Sequence, residues 1–351
     1  EENRVRLISP LYKFIIGAAV VLVLELLLWG ILDMYSMEIQ VMTNRKLSCE
    51  TLKSLMFFEY NGKILFYIIL LQYSNLYACF LFWFTSNTVP FIMAWLKLMF
   101  QDSRPFWVNT DLEPCLCATN FGSPSTSTFN ILAISLIVYN APLNSNKYRF
   151  INENWFKHFL LAIVIAWNLI VPFVRFYQNA HSFNQLAFGA ACGYGIYYLF
   201  FEVLKIDPRS KDQFIYLCKN GLTISLVLLG VFVVGLMVIY ICPVGELEPS
   251  LHERLETVCN NPFTFLVNDS YVKSAAMITN ATTVFMLYFD YKYMFNSNDE
   301  AFLHNTFEEN EERFNNNLHK WNIWMKLVIY LSILIFLFDG FIAQKYELPL
   351  T

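Results

Sequence analysis

Charged residues are scarce in this chain of 351 residues, which contains only 15% Asp, Glu, Lys and Arg. Soluble domains carry roughly a quarter. Hydrophobic residues reach 56%, so the composition excludes an ordinary soluble domain and predicts an integral, polytopic membrane protein. Runs of basic residues are also missing and the formal net charge is −4, which argues against a nucleic-acid partner.

Metal-binding patterns are missing as well. The eight cysteines and five histidines form no C-x-x-C pair and no His ligand spacing, so we predict neither a metal site nor another cofactor. Cys115, Cys117 and Cys259 are expected on one side of the membrane, where they are candidates for a disulfide. Most of the other cysteines are expected to pack as small apolar residues between helices.

Apolar stretches recur along the chain, and most approach the roughly 20 residues that a helix needs to cross a bilayer. They lie near 11–35, 62–84, 86–101, 121–141, 157–175, 183–204, 220–243, 272–289 and 322–344. The first is too long for a cleavable signal. The stretch 86–101 is short and contains Pro90, which predicts a broken or tilted helix. The fold class that follows is an all-α membrane protein, a helical bundle with about nine transmembrane helices.

Two polar stretches separate the apolar ones. Residues 36–61 place charges between apolar residues at helical spacing, which predicts an amphipathic helix on the membrane surface; a helix in a soluble loop is the alternative. Residues 290–321 are acidic and rich in Asn, so we expect a solvated helix or loop there. With no internal repeat and no soluble domain, residues 1–351 are predicted to form a single integral membrane domain.

Lysine and arginine are unevenly divided between the two sides of the membrane. The N-terminus and the loops near 142–157, 205–220 and 290–321 carry more of them than the loops on the other side. The positive-inside rule therefore assigns these loops to the cytoplasm, or to the matrix in a mitochondrion. Arg104 and Arg175 are then expected to face the lumen or the outside.

The first segment that indicates a functional site contains Lys97 and Arg104. They stand seven residues apart at the mouth of an apolar span. A cation inside a bilayer costs roughly 2.5–3.5 kcal/mol even on the lenient insertion scale. Two of them indicate a bound anion, most simply a phosphate, although a pair that snorkels to the membrane surface is the alternative.

Two further segments are expected near the same face. The run F-G-S-P-S-T-S-T-F-N, residues 121–130, leads into a helix whose first N–H groups suit an anion; an ordinary Ser/Thr-capped helix start is the alternative. In the other segment, Arg175 precedes His181 by six residues. His181 and Gln185 share one face of a helix, and a purely structural histidine remains the alternative.

Together the three segments resemble the phosphatidic acid phosphatase type 2 superfamily of membrane phosphatases. Its pattern is K-x6-R-P, then P-S-G-H, then S-R-x5-H-x3-D. The matching residues are Lys97, Arg104, Pro105, Pro124, Ser125, Arg175 and His181. The resemblance implies a core at 62–289, preceded by an extra span and amphipathic segment at 1–61. A polar acidic loop at 290–321 and a last span and tail at 322–351 would follow.

Within the superfamily, the chain is most similar to the glucose-6-phosphatase branch. The features shared with it are an aromatic residue and Trp107 after R-P, the G-S-P-S run at 122–125, Gln185 in place of Asp, and C-x-x-P at 259–262. This likeness implies the endoplasmic reticulum, although residues 347–351 hold no lysine retrieval signal. The inner mitochondrial membrane is the alternative.

The resemblance also assigns roles to the site residues. It implies that His181 is the nucleophile and that Gln185 orients its ring. The phosphate-binding residues that it implies are Lys97, Arg104, Ser125, Thr126 and Arg175.

Three positions depart from the family pattern. Ser127 stands where the family has the histidine that protonates the leaving group, Thr126 replaces a glycine, and Val174 replaces a serine. A hydroxyl is a poor acid near neutral pH, and losing a positioned general acid costs about 10²–10⁴-fold. Thr126 is unfavourable if the backbone there needs a positive φ or a close approach to phosphate.

We therefore expect a catalytically impaired pseudo-phosphatase. It would serve as a structural or accessory subunit of a membrane complex, or bind a phosphate-bearing lipid or metabolite beside the membrane lipids. The alternative is an active phosphatase that forms a phosphohistidine and acts on a monoester or diphosphate with a good leaving group. A transporter or channel has support only from Glu25, Asp33 and Asp339, acidic residues in or near spans.

Overall fold

The protein is all-helical in the part of the chain that the structure, a computed structural model, describes. The described residues are 2–43, 48–74, 76–115, 117–118, 120–141, 154–241, 257, 259, 277–289 and 291–292. They are 84% helical and contain no strand. The helices are α1 (Glu2–Thr43), α2 (Cys49–Tyr73), α3 (Leu76–Phe100), α4 (Pro105–Val108), α5 (Thr126–Asn140), α6 (Asn154–Tyr177), α7 (Phe183–Tyr198, continued by a π-helical turn Leu199–Val203), α8 (Lys211–Lys219), α9 (Gly221–Ile241) and α10 (Met277–Phe289).

The described helices include four that are long and apolar enough to cross a membrane. They cover Tyr77–Val108, His158–Tyr177, Phe183–Val203 and Gly221–Val238. Helix α1 makes a fifth if its two halves, bent by 60°, form one span. Nine spans are therefore not confirmed. Helices α5 and α10 are apolar but shorter than 18 residues, and the predicted span 322–344 and the loop 290–321 lie outside the described residues, apart from the helical pair 291–292.

Helix boundaries near the N-terminus differ from those predicted. Residues 36–61 do not form a separate surface helix: residues up to Thr43 continue α1, and α2 begins at Cys49. Ser48 caps α2 by accepting a hydrogen bond from the Thr51 N–H, which favours a helix start at this point. The predicted span 62–84 is divided between α2 and α3.

Helix α3 runs unbroken through Pro90, so of the broken or tilted helix that was predicted, the break is not present. Two of its polar groups, six and two residues before Pro90, are hydrogen-bonded by a neighbouring helix: the buried Asn280 donates to the Phe84 carbonyl at 3.1 Å and to the Thr88 hydroxyl at 3.0 Å. Neighbouring polar groups of this kind allow membrane helices to tolerate proline.

Packing divides the chain into two compact units. In the first, residues 1–213 and 227–280, helix α5 packs against α2, α3, α6 and α7, while α1 packs against α7. In the second, residues 214–226 and 281–351, the Ser225 hydroxyl donates to the Ala281 carbonyl at 3.0 Å.

Two disulfides lie in the first unit. Cys117 pairs with Cys259, as the sequence allows, and Cys115 pairs with Cys49 at the start of α2, which the sequence did not indicate. Cys115 also packs against Val174 near the end of α6. The Cys49–Cys115 disulfide and the hydrogen bond from the Cys115 N–H to the Gln178 carbonyl, at 3.5 Å, therefore hold Cys115 between the start of α2 and the end of α6.

Candidate active site

Four helix ends bring the three predicted segments together. Lys97 lies in the last turn of α3 and Arg175 in the last turn of α6. Ser125 is the N-cap of α5, and His181 comes two residues before α7 begins. Lys97, Arg104 and His181 are each no more than 5% exposed, so the cations are removed from water and need acceptors.

Both cations of the first segment bind the loop that precedes α5. Lys97 Nζ donates to the Phe121 carbonyl and, at 3.3 Å, to Asn120 Oδ1. Arg104 Nε donates to the Asn120 carbonyl at 2.7 Å, and its Nη2 donates to Asn120 Oδ1. A further nitrogen, Nη1, donates to the Ala180 carbonyl at 2.7 Å. The guanidinium thus connects the second segment to the third beside His181.

The contacts of the His181 ring specify its tautomer. Arg104 Nη1 lies 3.4 Å from Nε2, and a guanidinium can only donate. Nε2 is therefore the acceptor, and Nδ1 carries the proton that it donates to Gln185 Oε1 at 3.3 Å. The unprotonated Nε2, the nitrogen required of a nucleophile, faces the cations.

Burial is the main reason that the pKa of His181 lies well below its ordinary value of 6.5. The positive charges of Arg104, Lys97 and Arg175 lower it further, while the hydrogen bond that the ring donates to Gln185 raises it. Burial and the neighbouring cations both disfavour the imidazolium form. Arg175, which is half-buried, is therefore close enough to act on the ring together with the other two cations.

Gln185 is held on both sides of its amide. Its Oε1 also accepts from the Ser182 N–H at 3.3 Å, and its Nε2 donates to Asp102 Oδ2 at 2.7 Å and to the Ser103 carbonyl at 2.8 Å. These contacts place the Gln185 amide beside the His181 ring, and its role in orienting that ring stays a prediction. Asp102 was missed, because nothing in the sequence connects it to a residue 83 positions away. The S-x-x-Q run at 182–185 is a recognisable capping box and was overlooked.

The start of α5 carries the second segment. Ser125 is fully buried and its N–H donates to the Gln185 carbonyl at 2.9 Å. Thr126 is the first helical residue and is not among the non-glycine residues with positive φ in the described chain, which are Gln101, Asn179 and Lys205. The backbone therefore does not require glycine at 126 for a positive φ. Ser127 is buried in the same first turn.

Val174 has a packing role. It is 2% exposed and forms an apolar cluster with Leu52, against which Leu55, Cys115 and Tyr177 pack. Its methyl groups therefore stabilise the junction of α2 and α6. Of the three departures from the family pattern, this one is explained by the core.

Helix α1, predicted to be an addition to the core, supports the site directly. Gln40 Nε2 donates to the Phe176 and His181 carbonyls at 2.9 and 3.0 Å. Ser36 Oγ accepts from the Phe183 N–H at 2.8 Å, at the first residue of α7. Glu25 accepts from the Ser123 hydroxyl at 3.4 Å, so this intramembrane acid faces protein groups at the site.

Comparison with known protein families identifies the same part of the chain. Residues 76–207 match the family model of the PAP2 superfamily, and every predicted site residue lies within that range. The match covers less than half of the chain, leaves out α1 and α2, and does not distinguish between branches of the superfamily. No curated protein and no solved structure matches the chain. The similarity suggests a phosphatase-like function in an integral membrane protein.

Proposed function

From the similarity of residues 76–207 to the PAP2 superfamily, we propose that this protein is a membrane-embedded phosphate-binding pseudo-phosphatase. It binds a phosphate-bearing lipid or metabolite and hydrolyses ordinary phosphate monoesters poorly. The site faces the lumen or the outside, where the two nearby disulfides are stable.

The observation that carries this proposal is the serine at 127, where the resemblance expects the general-acid histidine, in a chain that keeps Lys97 and Arg104 buried at the candidate site. Breaking an alkyl phosphate ester expels an alkoxide, which needs a proton in the transition state. A serine hydroxyl does not supply it near neutral pH, so the reaction is slower by about 10²–10⁴-fold.

Anion binding does not depend on that proton. The buried Lys97 and Arg104, with Arg175, keep three cationic groups at one point, and charge-assisted contacts to a phosphate are strong. A subunit with a purely structural role in a membrane complex would not need these charges in its interior, where each is costly. We therefore favour phosphate binding over scaffolding.

The tautomer of His181 supports a second candidate, a phosphatase for substrates with good leaving groups. The Nε2 lone pair attacks phosphorus, the bond to the leaving oxygen breaks, and that oxygen departs with the electron pair as a stable anion. Water then attacks the phosphohistidine and releases phosphate. This route needs little acid assistance from the protein. A neutral His181 whose Nε2 carries no proton suits its first step.

Assays of the purified protein with glucose 6-phosphate and p-nitrophenyl phosphate distinguish the two candidate functions. We expect negligible turnover of the sugar phosphate, because its alkoxide leaves poorly. Ser127→His should raise that rate by about 10²-fold or more and change the p-nitrophenyl phosphate rate far less. Ser127→Asn, polar but not acidic, is the matched control and should not raise either rate.

Binding is measured separately with orthovanadate. Lys97→Gln and Arg104→Gln should weaken it, and unchanged vanadate affinity in both variants would reject the phosphate site. Wild-type turnover of glucose 6-phosphate near an ordinary enzymatic rate of about 10 s⁻¹ would reject the pseudo-phosphatase.

A further inference from the structure

We propose that Asp102 is a positioning residue that acts on His181 through Gln185, and that its carboxylate is the reason an amide stands at position 185. The inference deepens the proposed function, since it rests on His181 being the ring that faces the phosphate. It concerns how this chain holds that ring when, among the described residues, it is the amide of Gln185 that contacts Nδ1.

The contacts form one continuous series. Asp102 Oδ2 accepts from Gln185 Nε2 at 2.7 Å, and Gln185 Oε1 accepts from His181 Nδ1 at 3.3 Å. Only one orientation of the amide satisfies both contacts. A flipped amide would direct its oxygen at a carboxylate and a carbonyl, and its NH₂ group at the Ser182 N–H and at Nδ1–H.

The surrounding atoms hold this arrangement in place. Asp102 and Gln185 are 8% and 0% exposed. The Gly122 N–H donates to the Asp102 carbonyl at 2.7 Å, and a Cβ on Gly122 would stand 2.4 Å from Gln185 Nε2. The amide therefore lies directly on the glycine backbone, and neither partner can move away without disturbing the loop before α5.

This geometry explains why a carboxylate at 185 would be unsuitable. An ionised carboxylate there would place two negative oxygens about 2.7 Å apart. Like charges in a shared buried site strongly raise one of the two pKa values. A neutral amide avoids the repulsion and still offers one acceptor to His181 and one donor to Asp102.

The test uses Gln185→Glu, Asp102→Asn and the double variant in the full-length protein. In Gln185→Glu the new carboxyl can replace the amide only while protonated, because it must donate to Asp102. The 102–185 pair should therefore hold one shared proton at about pH 5 and release it as the pH rises towards about 9, which changes the ¹⁵N shifts of the His181 ring beside it. In the double variant the new asparagine can donate to an ionised carboxylate, so no such loss is expected.

The readout is the ¹⁵N spectrum of His181 in histidine-labelled protein, identified by its absence in His181→Gln. Other charged groups act on the same pair of residues: Glu25 of α1 on Asp102, and Lys97, Arg104 and Arg175 on His181. These four residues are the same in all variants, but the charge on Glu25 is coupled to the charge on Asp102. Every variant is therefore also compared in a Glu25→Gln background, where the difference between the pH profiles reports on residues 102 and 185.

Two single variants of Asp102 test its own contribution. Asp102→Ala removes the acceptor and should lower the fraction of the Nδ1–H tautomer, whereas Asp102→Asn keeps an acceptor oxygen and should retain it. Asp111→Asn, on an exposed residue of the 109–120 loop, is the matched control for removing a negative charge.

Equal pH profiles for wild type and Gln185→Glu would overturn the proposal. So would a double variant whose His181 ¹⁵N shifts change with pH as those of Gln185→Glu do. Because the spectra require neither ligand nor turnover, a failure here is distinct from a failure to bind vanadate, which would reject the phosphate site.

Discussion

His181 stays neutral at pH values just below 6.5, at which an ordinary histidine is mostly charged. Burial and the cations Arg104, Lys97 and Arg175 hold its pKa well below 6.5, so the folded protein binds no proton there as the pH falls through that value. The unfolded chain does bind one. Stability from this residue is therefore fully present above about pH 6.5 and is lost progressively as the pH falls from there towards the folded pKa.

We predict that the His181 ¹⁵N signals remain those of a neutral ring well below pH 6.5. Arg104→Gln should move the titration upwards, because it removes the largest of the three cationic contributions. The titration should not reach the ordinary value, since burial remains. The measurement is an NMR pH titration in the absence of phosphate. A wild-type midpoint at or above 6.5 would contradict the electrostatic account of the site.

Ser127 and Thr126 show how differently neighbouring substitutions act. Thr126 begins α5 with a backbone that does not have the positive φ reserved for glycine, so this departure costs no strain of that kind. Ser127 stands where the resemblance expects the general acid, and a serine hydroxyl is a poor acid near neutral pH. At the residue scale, the pseudo-phosphatase proposal therefore rests on one position.

At the scale of elements, the close approach of α7 to the start of α5 forms the site. Gly189 makes this possible: a Cβ there would stand 2.6 Å from the Ser125 carbonyl oxygen, a backbone atom that cannot rotate away. The contact keeps Ser125 near Gln185, to whose carbonyl the Ser125 N–H donates at 2.9 Å.

We predict that Gly189→Ala destabilises the protein by about 1–3 kcal/mol and weakens vanadate binding, because Ser125 must shift. Gly195→Ala is the matched control on the same helix. Its Cβ would meet only Phe14 Cε2, at 3.8 Å, so it should be neutral or stabilising by up to about 1 kcal/mol. Thermal unfolding in detergent measures the first effect and vanadate titration the second. Equal behaviour of the two variants would show that close packing at Gly189 is unimportant.

Helix α1 shows that the N-terminal segment is part of the site. By sequence it is an addition outside the family pattern, yet Gln40 and Ser36 bind the backbone on both sides of His181. A helix that lies outside the matched range thus holds the backbone on which the candidate nucleophile sits.

At the scale of the whole molecule, disulfides and basic residues indicate the same orientation. Cys49–Cys115 lies beside the site end of α6. Helix α7 and its π-helical turn carry the chain away from that end for 21 residues, about 30 Å, to the exposed Lys205 and Arg209. Disulfides mark an oxidising compartment and basic loops the cytoplasmic side.

We predict that a cysteine introduced by Asp111→Cys is protected from an impermeant maleimide in sealed microsomes and labelled after permeabilisation. Both Asp111 and Arg209 are exposed, so Arg209→Cys is the matched variant and should be labelled without permeabilisation. Labelling from the opposite sides would invert the proposed orientation and place the site in the cytoplasm.

The sequence by itself determined the class of the protein, a membrane protein, and which residues are candidates for its site. Composition requires a membrane, and the spacing of Lys97, Arg104, Arg175 and His181 follows a known motif. Such motifs are readable because each lies within a short stretch of chain. The serine at position 127, where the motif has histidine, can be read from the same short stretch.

Only the tertiary structure decided how those residues are held. Asp102 reaches Gln185 across 83 positions, Gln40 reaches His181 across 141, and Cys49 pairs with Cys115. No sequence period encodes such contacts, because they arise where separate helix ends meet. Helix boundaries were misjudged for a related reason: hydropathy measures affinity for lipid, whereas capping at Ser48 and the polar contacts of Asn280 near Pro90 determine where a helix begins and continues.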